Sequence, residues 1–235
     1  MKWSEFFTSS IGKKIVMGLT GLFLVSFLIV HVGINACIWA NDNGEMFNKA
    51  AHFMGSAIVI RIMEVGLFVG FIIHIIQGLV LEFQNRKKRG IGYKVNLGNK
   101  GSSWYSRSMG LLGTLLLLFL ILHLSHFWVP SRFGGMGNIR ELTPVTYQDG
   151  KEIHNLYAEI LAVFQGNLLI VVLYVVGCFS LCWHLMHGIQ SSFRSIGLHN
   201  NRYLKMVRAL GITFSIVVPL AFAMMPVSVY LGWVS

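Results

Sequence analysis

Five runs in this sequence are too long and too apolar to fold in water, roughly residues 15–40, 57–83, 108–129, 167–189 and 209–231. About 20 residues at about 1.5 Å rise cover a hydrocarbon core of about 30 Å, so each run can cross a bilayer as a helix. Composition agrees: 54% of residues are apolar and 12% charged, against about a quarter charged in a soluble domain. The expectation is one all-α membrane domain over residues 1–235 with five transmembrane helices. The run after Lys13 and Lys14 is longer than the apolar core of a cleaved signal and lacks a small-residue cleavage site, so it reads as the first span.

Four of the five runs carry histidine at depth. The stretch from Phe179 to Leu198 holds His184 and His187 and ends in Arg194; GLTGLFLVSFLIVHVG holds His31, FVGFIIHIIQGL holds His74, and MGLLGTLLLLFLILHLSHF holds His123 and His126. An imidazole in lipid has no hydrogen-bond partner unless the protein supplies one, so each marks a candidate functional site. A single membrane histidine is more often a helix-to-helix hydrogen bond. Four with repeated surroundings favour a shared cofactor.

The surroundings do repeat. Gly21 to His31 and Gly113 to His123 share Gly-x9-His, with Phe27 and Phe119 one turn before each histidine; His74 to Gly78 and His184 to Gly188 share His-x3-Gly. The first four spans therefore read as an antiparallel bundle with an approximate two-fold internal repeat. Counted from the basic helix ends, His31 and His123 lie roughly 24 Å deep, and His74 and His184 roughly 15–18 Å. They sort into an outer pair, His31 with His123, and an inner pair, His74 with His184. A bis-histidine pair facing across a bundle core is the geometry that holds a low-spin haem. No C-x-x-C-H occurs, so such haems would be held non-covalently. His126 and His187, each three residues from a candidate, read as groups behind the ligands or beside the propionates, with replacement of the neighbouring ligand as the alternative.

The net charge of +10 could suggest nucleic acid, but its distribution points to topology. Lys and Arg crowd the segment before the first span and the second and fourth connections, while the first and third hold most of the acids. By the positive-inside rule the N-terminus is cytoplasmic and the C-terminus outside. Cys37, Cys178 and Cys182 are too few for a disulfide framework or an iron–sulfur cluster, and no dinucleotide or phosphate-binding fingerprint occurs.

Between the spans, Met1 to Gly12 reads as an interfacial segment and GEMFNKAAHFMG as a short amphipathic helix bearing His52. Arg61 and Glu64, one turn apart, read as a local ion pair, with a quinone site as the alternative. Gly90 to Ser103 reads as a basic loop. Pro130 is expected to break the third span, and a further interfacial helix with His154 is expected around Glu152 to Phe164. The fifth span lacks histidine, contains Pro219 and Pro226, and reads as kinked scaffold.

On these residues the chain resembles the dihaem cytochrome b membrane subunits of succinate:quinone oxidoreductases, which include fumarate reductases with a single five-helix anchor. The matching features are TGLFLVSFLIVH, FNKAAHFM, IIHIIQG, Gly113-x9-His123, and HLMHG followed by SIGL, together covering about Ile11 to Leu198. The resemblance implies two haem b groups: His74 and His184 would hold the one nearer an iron–sulfur subunit, and His31 and His123 the distal one. It further implies a cytoplasmic flavoprotein with FAD and an iron–sulfur subunit docked on the basic face, (mena)quinone as lipid-soluble partner, and a bacterial cytoplasmic membrane; it admits a dimer of the whole complex. Where some fumarate reductase members have a glutamate two residues before the fourth ligand, this chain has Cys182, which puts a proton path through that acid in doubt. Two other classes stay open, a dihaem anchor of a hydrogenase or formate dehydrogenase and a haem-free transporter whose histidines relay protons.

Overall fold

A computed structural model describes residues 9–89, 103–148, 150–197 and 201–234. Helix α1, Ser10–Asn35, closes in a 3-10 turn over Ala36–Trp39. Then follow α2, Glu45–Ser56, and α3, Ile58–Arg89. After a single turn at Trp104–Arg107 comes α4, Met109–His123, which runs on through a π-helical segment, Leu124–Trp128, into Val129–Phe133. Strands β1, Pro144–Thr146, and β2, Glu152–His154, form an antiparallel hairpin with Val145 opposite Ile153. Helices α5, Leu156–Phe164, α6, Leu168–Ser195, and α7, Asn201–Tyr230, complete the chain.

Five helices among the described residues are long and apolar enough to cross a membrane: Ser10–Trp39, Ile58–Lys87, Met109–Phe133, Leu168–Ser195 and Tyr203–Tyr230. This is an all-α, multi-pass integral membrane protein. Large apolar side chains such as Ile62, Phe83, Leu118 and Leu220 stay exposed, as they can where the solvent is lipid and burying them gains little.

Several helix limits differ from the expected ones. The first span begins at Ser10 and the second runs to Lys87, because the apolar stems of Lys and Arg can lie along the span while their charged heads reach the interface. Pro130 does not end the third span. The π segment shifts the bonding register, with Val129 N–H donating to Leu124 O, and the proline falls in the first turn of Val129–Phe133, where its missing N–H costs little. His154 lies on β2 and not on a helix. Helix α5 begins only after it, since the Asn155 side chain accepts from Ala158 N at 3.0 Å and caps the first turn. Helix α7 continues through Pro219 and Pro226. The segments expected at residues 1–8 and 90–102, His199, and the side chains of Lys88, Arg89 and Arg202 lie outside the described residues.

The chain resolves into two compact units. The first comprises Met1–Phe27, Gly66–Leu116 and Ser180–Val217, and the second Leu28–Val65, Leu117–Phe179 and Val218–Ser235. In the first, Leu112, Leu185 and Ile189 are buried, and Ser180 Oγ donates to Leu112 O at 3.0 Å. The core of the second gathers Phe47 of α2, Tyr157, Ile160 and Phe164 of α5, Val171 and Tyr174 of α6, and Met225 and Val229 of α7. At its edge Asn48, with no exposed surface, donates to Tyr147 Oη and Asn155 Oδ1, both at 2.9 Å, and accepts from Tyr157 N at 2.9 Å. Gly44, with φ of 80°, begins α2 directly against the Tyr157 ring, where a Cβ has no room.

Candidate cofactor-binding site

In the first unit α3 presents His74 and α6 presents His184, with ring centroids 6.2 Å apart and planes at 65°. Each ring has a glycine beside it. A Cβ on Gly21 would lie 3.5 Å from His74 Cε1, and one on Gly113 would lie 3.7 Å from His184 Cε1. The glycine of each Gly-x9-His motif thus makes room for a histidine of a different helix, not for the one that ends its own motif. His74 Nδ1 lies 3.2 Å from Thr20 Oγ1, while His184 Nδ1 is buried with no partner. His187 follows one turn after His184 and is half-buried.

In the second unit α1 presents His31 and α4 presents His123, with centroids 5.8 Å apart and planes at 86°. His123 Nδ1 is buried without a partner, and its ring stacks on Phe119 at 5.8 Å and meets Phe127 at 5.5 Å and Tyr174 at 6.2 Å. His31 packs on Phe222 at 5.4 Å. Asn35 Nδ2 donates to His31 O at 2.8 Å and lies 3.3 Å from His31 Nδ1. An amide nitrogen only donates, so this contact favours the ring proton on Nε2, and ligation through Nε2 would require it to open. His126 is turned toward Tyr174, with Nδ1 2.9 Å from the hydroxyl and the rings nearly parallel at 7°.

The residues can be tested against a haem. Two nitrogens each about 2 Å from one metal ion are about 4 Å apart, and about 1.1 Å more to each ring centre puts facing centroids about 6.2 Å apart. The observed 6.2 and 5.8 Å accommodate that geometry. They also suit an edge-to-face contact of two rings, so the spacing permits a metal without requiring one. Among the described residues no group of three or more His, Cys, Asp or Glu converges. Each pair offers two ligands, the number left to the protein when a macrocycle fills the four in-plane positions. The orphaned Nδ1 atoms cost the protein as they stand. The donor set fits the group.

The other candidates lie elsewhere in the second unit. Glu64 is more than half of an ion pair with Arg61: its oxygens also accept from Trp128 Nε1 at 2.6 Å and from Arg132 Nε and Nη2 at 3.2 and 3.0 Å. With both oxygens so engaged, the cluster reads as a clamp between spans. Nothing in the sequence near Glu64 announces Arg132, which is distant along the chain; a tryptophan and an arginine together at a span end were the only signal. His52 lines a cavity of about 290 Å³ with Lys49, Phe53, Ser56, Tyr147, Lys151 and Ile153. Outside the spans, burial raises the Glu159 carboxyl above its ordinary range, partly offset by Arg140, whose Nε lies 3.4 Å from Oε2.

Comparison with protein-family models, curated proteins and solved structures finds no match to this chain. The functional reading therefore rests on the histidines and what surrounds them.

Proposed function

We propose that this chain is a dihaem cytochrome b that carries electrons between an iron–sulfur partner and a quinone, as the membrane subunit of a succinate dehydrogenase or fumarate reductase complex. The observation that carries the reading is the sorting of four membrane histidines into two facing pairs, each formed by two different helices within one compact unit. His74 and His184 would hold one haem and His31 and His123 the other. When bound, each haem supplies reversible one-electron exchange at its iron. The protein would contribute an imidazole nitrogen from each histidine of a pair and an apolar wall, Phe119, Phe127 and Phe222 beside one pair, that would keep water from the bound group and raise the weight of every nearby dipole.

The distribution of Lys and Arg supports a cytoplasmic N-terminus and an external C-terminus, and a bacterial cytoplasmic membrane fits the resemblance. Flavin chemistry belongs to partner subunits, a flavoprotein and an iron–sulfur protein. Arg86 and Lys87 at the basic end of α3 are exposed, although Arg86 is also bound to Glu82 at 2.5 Å. Menaquinone fits the resemblance as lipid-soluble partner.

The test is the absorption spectrum of the purified full-length protein after dithionite reduction, together with the mass of whatever co-purifies. Two b-type haems per chain and two soluble subunits are expected. A folded, haem-free protein would overturn the proposal, and a hydrogenase or formate dehydrogenase partner would reassign the complex.

A further inference from the structure

The internal repeat is broken at one position beside His74, and the break leaves the two histidines of that pair chemically unequal. Thr20 stands in α1 next to Gly21, whose missing side chain admits the His74 ring edge. A hydroxyl has one proton to give. That of Thr20 points to Val16 O, one turn back at 2.8 Å, with Met17 O farther away at 3.3 Å. The oxygen, 3.2 Å from His74 Nδ1, is left to accept, so the imidazole proton sits on Nδ1 and Nε2 keeps its lone pair. Which ring nitrogen can take a metal is set by the hydrogen bond that the other makes.

His184 lacks this support. The repeat aligns Gly21 with Gly113, and so Thr20 with Leu112. Leucine has no acceptor in its side chain, its carbonyl already receives Ser180 Oγ at 3.0 Å, and His184 Nδ1 is buried with no partner. Of the two imidazoles, one is held by a neighbouring helix in the tautomer a ligand needs, and the other is held by packing alone.

We infer that Thr20 is a positioning residue that presets His74 as a ligand and lowers the reduction potential of the haem that His74 and His184 would hold. The inference rests on the haem reading above. An imidazole whose N–H donates is the stronger base, and a more basic ligand favours oxidised iron. Thr20 does this without touching the iron. The plainer alternative is an interhelical hydrogen bond that only ties α1 to α3, which would change stability and leave the potential alone.

The experiment measures haem content and the two midpoint potentials of the full-length protein for wild type, Thr20→Val and Thr20→Ser, with His74→Ala identifying the component that belongs to this pair. Valine keeps the shape of threonine and removes the acceptor; serine keeps the hydroxyl. The expected result is an upward shift of that component alone in Thr20→Val and a return to the wild-type value in Thr20→Ser. Loss of that haem in Thr20→Val with retention in Thr20→Ser would also support the inference. Unchanged potentials in Thr20→Val, with or without a lower melting temperature, would overturn it, as would loss of the haem from both variants. A wild-type protein free of haem would instead sink the function proposed above, so the two failures are distinguishable.

Discussion

Glu64 and Arg132 meet at two points, Nε to Oε1 at 3.2 Å and Nη2 to Oε2 at 3.0 Å. Both side chains are mostly buried, 19 and 21% exposed, and the fork joins α3 to the turn that follows the π segment. Arg132 Nη1 also donates to Gly55 O at 3.3 Å, so one guanidinium ties the end of α2 to two spans. Arg132→Met leaves a carboxylate with Trp128 and Arg61 but without its forked partner, at a cost of about 2–3 kcal/mol. Arg132→Lys should recover only part, because an ammonium cannot fork. Thermal unfolding in detergent reads this, and equal melting temperatures for wild type and Arg132→Met would show the clamp to be inert.

Ligation should divide by pair. His74→Ala and His184→Ala are each expected to remove the same haem, and His31→Ala and His123→Ala the other, with haem per chain falling from about two to about one. His126→Ala and His187→Ala should keep both. If His187→Ala empties a site that His184→Ala leaves filled, the assignment on α6 is wrong.

Glycine substitutions give a finer probe. A Cβ on Gly177 would stand 2.5 Å from Phe119 Cδ2, so the ring must move, and that ring stacks on His123. Gly177→Ala should therefore disturb the haem assigned to His31 and His123 while sparing the other. Gly33 has nothing within 4 Å, and Gly33→Ala should be silent or stabilise by up to about 1 kcal/mol. Optical spectra of the two reduced haems, taken with haem content, decide between these outcomes.

Asn48 uses both ends of its amide on three partners, Tyr147 beyond β1 and Asn155 and Tyr157 at the start of α5. Asn48→Leu strips these bonds and leaves the buried Tyr157 N–H unsatisfied, which should cost about 2–4 kcal/mol. Limited proteolysis of the segment around residues 143–155 in intact protein would report it; cleavage no faster than in wild type would mean the amide is dispensable.

Glu159 supplies a pH dependence. Burial raises its folded carboxyl above the ordinary value, and Arg140 only partly opposes this. A raised folded value means that the native state binds the proton more tightly, so the contribution to stability is fully present below the unfolded value and is lost as the pH rises through the folded one. Glu159→Gln should lack that loss. Its melting temperature relative to wild type should climb as the pH rises from the ordinary carboxylate value through the raised folded one, and a constant difference across that rise would contradict the shift.

Some of this architecture was legible along the chain because it depends on local properties. Span length and apolarity follow from bilayer thickness, and α2 from its amphipathic period. The division of His31, His74, His123 and His184 into two sets follows from motifs that repeat at fixed spacing, and the structure brings the members of each set together. The chemical environment of those rings was another matter. Thr20, Tyr174 and Arg132 acquire their roles from side chains many residues away, and neither hydropathy nor period encodes which atom of one helix faces which nitrogen of another. The same holds for Pro130, harmless because the preceding turns widen, and for His154, drawn into a strand by pairing with Pro144. Burial in lipid is a property of each segment alone, whereas hydrogen-bond partnership depends on two segments at once, and only the packed structure decides it.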